Sequence, residues 1–382
     1  MFGGSQVINQ LKNMIDEAKR DDVSDIHLEL TGSKGRVRYR VDGLLQTKLE
    51  YNKEMLESII SRIKYLANLD ITLKNKIQEG CIISGLLDSG EIRVSIVPTV
   101  LGEKAVLRMR NNKNYLNLDK IGFNSDNKSI YLKLLKNNSG IILFTGPTGS
   151  GKSTTLLATI SELSSSDKNI ITLEDPVEIL IPGINQIYVN TNAGQNFADY
   201  LRAILRQDPD IIMIGEMRDQ ETAEIAVRSA LTGHLVFSTL HTNDAVSSIT
   251  RLVDMGLAPY LVAASLNGIV AQRLVRRLCP HCKEKRKLEK SDLKYLGDPE
   301  LEEAYFAVGC EKCNNTGYDG RLAIQEIFEI DNKVKEMISE HGSKEEISQY
   351  AKNNGMITLK EDGITKIKEG ETDISELKRI IY

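Results

Sequence analysis

The sequence predicts an α/β fold built on a parallel sheet, preceded by a smaller α+β domain and followed by a cysteine-bearing module. Three observations carry that expectation. From about residue 139, short apolar runs alternate with helix-compatible stretches: IILFT (141–145), NIITLE (169–174), DIIMIG (210–215) and LVFSTL (235–240). Strands buried on both faces of a parallel sheet read as such unbroken runs, and their alternation with helices is the α/β pattern. The first hundred or so residues instead carry a period-two strand with one wet face, and two Cys-x-x-Cys pairs stand beyond residue 270.

Residues 7–20 place Val7, Ile8, Leu11, Met14, Ile15 and Ala18 at helical spacing, which predicts an amphipathic first helix. Strands follow at 25–30 and 36–41, the second alternating Val37, Tyr39 and Val41 with Arg36, Arg38 and Arg40. Asp42-Gly43 turns the chain. A helix rich in Ile and Leu covers 53–69, and strands are expected at 80–86, 91–97 and 103–110. The polar stretch Asn111-Asn112-Lys113-Asn114 reads as a linker. The expected organisation is therefore a small α+β domain at 1–110, a linker and first helix at 111–138, an α/β core at 139–270, a cysteine module at 271–325 and a charged, mostly helical region at 326–382.

Composition narrows the class. A chain of 382 residues has room for two to three domains at roughly 150 residues each. With 41% hydrophobic and 27% charged residues, wholesale disorder is excluded. A net charge of −4 speaks against a protein whose main business is coating nucleic acid, because phosphate neutralisation needs a basic excess. One local basic stretch exists: Arg273, Arg276, Arg277, Lys283, Lys285, Arg286 and Lys287 against Glu284. It reads as a solvated face or a partner contact rather than a lipid or nucleic-acid site. No apolar run approaches the ~20 residues needed to span a bilayer, and no signal-peptide pattern opens the chain, so the expected location is the cytoplasm.

Gly146-Pro147-Thr148-Gly149-Ser150-Gly151-Lys152-Ser153 fits the phosphate-loop pattern GxxxxGK[ST], directly after an apolar strand and before the helix-compatible Thr154-Thr-Leu-Leu. Glycines let backbone N–H groups turn inward around phosphates, and the helix N-terminus adds a favourable dipole. Lys152 is expected to neutralise the β- and γ-phosphates of ATP, and the Ser153 hydroxyl to ligate Mg²⁺.

After the strand at 211–214 comes Gly215-Glu216, where phosphate-loop enzymes carry the acids that organise Mg²⁺ and water. Glu216 is the natural general base. Gly215 occupies the position of a more usual Asp, so Mg²⁺ coordination is expected to draw on Ser153 and another acid. Glu174 and Glu178, at the end of the preceding strand, are the candidates; in isolation Glu174-Asp175-Pro-Val-Glu178 reads equally well as a solvated turn. His241 follows a strand at the end where open α/β sheets bind ligands, and so is the better γ-phosphate contact than His234, which precedes that strand.

Cys279-Pro-His-Cys282 and Cys310-Glu-Lys-Cys313 can supply four thiolates to a closed, structural Zn²⁺ site. His281 lies inside a knuckle and is expected to face solvent, and Cys81 reads as a small buried hydrophobe.

These motifs, in this order, resemble the secretion-superfamily ATPases that drive type IV pilus assembly and type II secretion. The resemblance spans nearly the whole chain, from Ser24-Asp-Ile-His27 and Val37-Arg-Tyr-Arg40 through GPTGSGKST, ITLEDPVE, LRAILRQDPDIIMIGEMRD, TGHLVFSTLHTNDA and AQRLVRRLCPHC to TGYDGR and GMITLKEDGITKIKEG. It implies a PAS-like N2 domain at 1–110, a RecA-like C2 domain after it, a homo-hexamer, and active sites between domains. It marks Glu174 and Glu178 as an aspartate box, Glu216 as the Walker B acid and His241 as part of a histidine box. It also implies that Arg93, Arg108, Arg202, Arg206 and Arg321 reach the phosphates when domains close, with Arg218 as easily a salt-bridge partner of Glu216. The implied partners are an inner-membrane platform protein and associated cytoplasmic assembly proteins, with peripheral attachment to the cytoplasmic face of the membrane. Retraction ATPases generally lack the tetracysteine insert, so assembly or secretion is favoured over retraction, with pilus assembly the leading expectation and type II secretion the alternative. A RecA-like nucleic-acid motor fits less well, given the acidic charge and an aromatic content of only 5% for base stacking.

Overall fold

The alternation of Val37 and Tyr39 with Arg36 and Arg38 organises the first part of the chain. A computed structural model describes residues 4–82, 92–109, 116–189, 194–298 and 301–381. It divides into two units, Met1–Lys113 and Asn114–Tyr382. The first contains α1 (Gly4–Arg20), β1 (Asp25–Thr31), β2 (Lys34–Val41), β3 (Leu44–Asn52), α2 (Lys53–Leu66), β4 (Gln78–Ile82), β5 (Ile92–Thr99) and β6 (Gly102–Met109). The strands form one antiparallel sheet in the order β3-β2-β1-β6-β5-β4. Its apolar positions, among them Ile26, Leu28, Val37, Tyr39, Val94 and Leu107, pack with Leu11, Met14 and Ile15 of α1 and Leu56, Ile59 and Ile63 of α2. The Tyr39 hydroxyl is buried without penalty because it donates to the Met14 carbonyl at 3.0 Å.

Alternation puts the charges on the other side of this sheet. There Glu29 accepts from Arg36 and Arg38 at 3.2 and 2.8 Å and lies 2.9 Å from Lys104 Nζ. The linker at 111–114 and the second half of the strand expected at 80–86 lie outside the described residues. The edge strand β3 was not anticipated: its LLQTKLEYN has no clean alternation, and most of its positions are only half-buried.

The second unit carries α3 (Ser125–Leu134), β7 (Gly140–Thr145), α4 (Lys152–Leu163), β8 (Ile170–Glu174), β9 (Asn185–Tyr188), α5 (Phe197–Ile204), β10 (Ile211–Ile214), α6 (Gln220–Leu231), β11 (Leu235–Leu240), α7 (Val246–Asp254), α8 (Pro259–Ser265) and β12 (Leu266–Leu278). It continues through β13 (Glu284–Lys287), α9 (Lys290–Leu296), β14 (Glu303–Phe306), β15 (Tyr318–Glu329), α10 (Asn332–Ser339), α11 (Lys344–Asn353), α12 (Leu359–Lys368) and α13 (Ile374–Ile380). Its sheet runs β15-β12-β7-β11-β10-β8-β9, parallel throughout except for the antiparallel β12–β15 pair.

Burial on both faces explains the unbroken apolar runs. Ile141 and Leu143 of β7, with Ile212 and Ile214 of β10, enter one core; Ile142 and Phe144, with Ile211 and Met213, enter the other. The boundaries expected at 271 and 325 fall inside β12 and β15. Both strands therefore belong partly to the central sheet and partly to the cysteine-bearing segment, since β12 runs on from Gln272 to Leu278 after its last pairing with β7, Ala271 with Thr145. Among the described residues, no helix is long and apolar enough to cross a membrane.

Candidate functional site

Because β7, β11, β10 and β8 are parallel and adjacent in that order, their carboxyl ends share one edge of the sheet. The residues that follow or end these strands are the phosphate loop, His241, Glu216 and Glu174. That edge is where open α/β sheets form their ligand crevice.

The loop leaves β7 with Gly146 at φ 148° and enters α4 through Gly149 at φ 80° and Gly151 at φ 84°, conformations that L side chains rarely adopt. Pro147, Thr148 and Gly149 are exposed, while Ser150 and Lys152 are buried. The Lys152 ammonium donates to the carbonyls of Gly146 and Pro147 at 2.7 and 3.2 Å. Burial lowers its pKa to about 8, with Arg273 pushing the same way and Glu216 opposing. The Ser150 hydroxyl oxygen is buried and has no hydrogen-bond partner among the described residues. A poised cation, an orphaned hydroxyl and a left-handed glycine loop at a helix N-terminus form a donor set that fits the phosphates of a nucleotide. Ser153 is exposed in the first turn of α4 and Thr154 is half-buried beside it.

Glu216 follows β10 with its side chain 18% exposed, in contact with the Arg218 guanidinium and 3.7 Å from His241 Nε2. Its backbone setting is fixed on both sides: Gly215 N–H donates to Leu173 O at 2.7 Å, and Thr239 Oγ1 donates to Gly215 O at 2.7 Å. A Cβ at Gly215 would stand 3.1 Å from the Leu173 carbonyl oxygen, so an Asp there would be crowded by β8. Glu174 is 5% exposed, and one of its oxygens accepts from Thr172 Oγ1 at 2.7 Å and Gln186 Nε2 at 2.9 Å. Glu178 is exposed in the segment between β8 and β9. His234 sits at the other end of β11, its Nδ1 2.9 Å from Ser229 O.

The five arginines separate. Arg202 and Arg206 lie on and just after α5; Arg202 contacts Glu221, and Arg206 donates to Arg202 O at 2.9 Å. Arg321 faces Arg276 across the β12–β15 register. Arg93 and Arg108 belong to the first unit, where they pair in register on β5 and β6 and Asp25 accepts from Arg108 Nε at 2.9 Å.

Two residues on β12 also stand at the loop. Gln272, 1% exposed, donates to Ser150 O at 2.8 Å and accepts from Thr155 Oγ1 at 2.9 Å. Arg273 donates to Asn243 O at 2.8 Å, tying the loop after β11 to the same place. In the sequence Arg273 counted only towards a basic stretch; a Gln directly after the apolar Ile269-Val270-Ala271 was the available signal, because buried polar groups are scarce and paired.

The four cysteines converge. Their sulfurs all lie within 4.8 Å of one another. Cys279–Cys310, Cys282–Cys313 and Cys310–Cys313 are separated by 4.0, 3.8 and 3.7 Å. Tetrahedral metal–sulfur bonds of ~2.3 Å require sulfurs about 3.8 Å apart, so the set has metal-binding geometry. Backbone N–H groups of Cys310 and Gly317 each donate to Cys313 Sγ at 3.2 Å, and that of Gly309 to Cys282 Sγ at 3.4 Å. Such donors favour thiolates: burial pushes the Cys313 thiol up, but the N–H groups of Cys310 and Gly317 outweigh it and bring its pKa below the usual value. Cys81 is only half-buried, rather than fully buried as expected.

Comparison with known proteins places this geometry. The family model described as "Type II/IV secretion system protein" matches residues 3–379. The type II secretion system protein HxcR of Pseudomonas aeruginosa is 45% identical over 379 residues, covering 99% of this chain and 78% of that one. The type IV pilus assembly ATPase TfpB of Acinetobacter baylyi is 44% identical over 365 residues, covering 94% and 62%. The crystal structure of the pilus retraction motor PilT with bound ADP superposes with a TM-score of 0.66 at 27% identity, covering 97% and 95% of the two chains. The strand-end acids, the histidine and the phosphate loop thus sit in a chain that belongs to the Type II/IV secretion system protein family and is one of its ATPases.

Proposed function

We infer that this ATPase is a motor that works as a homo-hexamer, hydrolysing ATP to drive type IV pilus assembly through an inner-membrane platform protein and its associated cytoplasmic assembly proteins. The observation that carries the catalytic part is the row of strand ends in which Lys152, His241 and Glu216 follow neighbouring parallel strands. Loop N–H groups and Lys152 hold the β- and γ-phosphates; Glu216 orients and deprotonates the attacking water; His241 contacts the γ-phosphate. Ser153 and an acid at Glu174 or Glu178 would hold Mg²⁺, which when bound supplies charge neutralisation at the phosphates. Gly146, Pro147, Thr148, Gly149, Ser150, Gly151 and Thr154 complete the nucleotide cradle. Arg93, Arg108, Arg202, Arg206 and Arg321 stabilise the charge that develops in the transition state when domains close. Cys279, Cys282, Cys310 and Cys313 would hold a structural Zn²⁺, and the protein works at the cytoplasmic face of the inner membrane without binding nucleic acid.

Type II secretion is the second reading, favoured by the 45% identity to HxcR, which is as high as that to the pilus protein. Deleting the gene in its host separates the two. Loss of surface fibres with normal protein export supports pilus assembly, and loss of export with intact fibres supports secretion. The chemistry itself is tested by turnover of the purified chain with ATP and Mg²⁺, with and without single-stranded DNA. Strong stimulation by the DNA would overturn the motor assignment in favour of a nucleic-acid enzyme.

A further inference from the structure

We propose that Gln272 is a positioning residue for nucleotide binding, acting through the phosphate loop rather than on the nucleotide. The inference rests on the assignment of residues 146–153 as the nucleotide loop. Gln272 lies on β12 one residue beyond Ala271, the last position paired with β7, so its backbone sits where β7 turns into the loop. Its side-chain amide enters the interior. The NH₂ group donates to Ser150 O, and the amide oxygen accepts from Thr155 Oγ1 at 2.9 Å and Gln325 Nε2 at 3.3 Å. One side chain therefore ties the last part of the loop to the first turn of α4, on either side of Lys152.

The steric record of the loop supports this. A Cβ at Gly151 would fall 2.7 Å from Gln272 Nε2, and a Cβ at Gly146 would fall 2.5 Å from the Gln272 carbonyl oxygen. Two of the loop's glycines are thus required by close approach to this one residue as well as by their positive φ. With the Ser150 carbonyl held by Gln272, the peptide that follows it is fixed, and its N–H direction with it. The neighbouring Gln325 is 0% exposed and is itself anchored, its N–H donating to Asp362 Oδ2 at 2.7 Å and its carbonyl accepting from Asn127 Nδ2 at 3.0 Å. Gln272 is therefore backed by a fixed support, as a positioning residue must be.

The test uses the full chain and a fluorescent ADP analogue as the probe. Gln272→Leu, which keeps the volume and removes the hydrogen bonds, is expected to raise the Kd for the probe about tenfold, the equivalent of ~1.4 kcal/mol. The kcat at saturating ATP is expected to change less than about threefold, because the group does not touch the reacting atoms. Thr155→Val, alone and combined with Gln272→Leu, should be non-additive in Kd. A purely structural role would instead lower the melting temperature and leave the Kd of the folded protein within about twofold of wild type, which overturns the proposal. If the Leu variant does not fold, Gln272→Glu, which keeps the acceptor and loses the donor to Ser150, is held to the same Kd criterion. Failure of the wild-type chain to bind the probe at all would instead overturn the loop assignment itself.

Discussion

The phosphate loop and the tetracysteine group are both compact sites in the second unit, and they are built in opposite ways. The loop presents mainly backbone: its donors are peptide N–H groups, set by three positive-φ glycines and held from outside by Gln272. The residues proposed to act with it, Glu216 and His241, follow other strands and share its edge of the sheet because β7, β11 and β10 are neighbours. The cysteine group presents side chains from two short knuckles, and much of its inner hydrogen bonding is local, Cys310 N–H and Gly317 N–H both serving Cys313. One site depends on the whole sheet and the other largely on itself. A change in the first should therefore alter chemistry with little change in stability, and a change in the second should do the reverse.

The largest effect expected of that contrast is on turnover. Lys152→Ala removes the loop's own cation and should reduce ATP hydrolysis by more than about a hundredfold, since charge stabilisation carries most of phosphoryl transfer. Circular dichroism and the melting temperature should stay near wild type, because among the described residues the ammonium bonds two carbonyls, both of its own loop. Wild-type turnover in this variant would sink the assignment of the loop.

Cysteine replacement should behave in the opposite sense. Elemental analysis of the pure protein should find about one zinc per chain. Cys313→Ser should abolish it and lower the melting temperature by about 10 °C or more, as a structural metal is worth several kcal/mol of folding energy. The Kd for ADP, measured below the new melting temperature, should move less than about threefold. A Kd that rises in step with metal loss would break the contrast, and would mean that β12 transmits strain from Cys279 to Gln272.

Arg93 and Arg108 test how far the distributed site extends. Arg108 is tied to Asp25 yet its side chain is 71% exposed, so losing it should leave the first unit folded. Arg108→Ala should lower turnover roughly tenfold to a hundredfold with an unchanged melting temperature, if it supplies charge to the phosphates on closure. Unchanged kinetics in single Ala variants of both arginines would remove them from the catalytic set.

This contrast also explains what the sequence let one read. The loop and the cysteine pairs are contiguous motifs whose spacing is their chemistry, and both were legible at once. Glu216 and His241 were legible as strand-end residues, because the apolar runs at 211–214 and 235–240 announce buried parallel strands. Gln272 was not, since its meaning depends on β12 lying beside β7, a pairing that no local pattern reports. The same holds for β15, whose polar start at Tyr318-Asp-Gly-Arg321 carries no strand period and is placed by Leu278 and Arg276 opposite Tyr318 and Arg321. The edge strands β3 and β9 have no single buried face to impose alternation, and so left no period to find.

The smallest effect concerns the stretch of β12 between the two sites. Arg276 lies between Arg273 at the loop and Cys279 of the tetracysteine group, and its N–H and guanidinium both bond Glu376 of α13, at 2.9 and 2.8 Å. Arg379 adds two more bonds to the same carboxylate, at 2.9 and 2.7 Å. Burial pushes the Glu376 carboxyl up, but Arg379 and Arg276 outweigh it and hold its pKa at about 2 against an ordinary 4.5. A carboxylate depressed in this way stabilises the fold fully above its unfolded pKa, and that contribution is lost as pH falls through the folded value. Between about pH 4.5 and 3 the loss should be about 1 kcal/mol, or a few degrees of melting temperature, and Glu376→Gln should flatten that slope while lowering stability at neutral pH. A zinc ion held by these thiolates would be displaced by protons while Glu376 is still ionised. Acidification should therefore release the metal first and loosen the brace second, and a single combined transition would show that β12 does not keep the two sites independent.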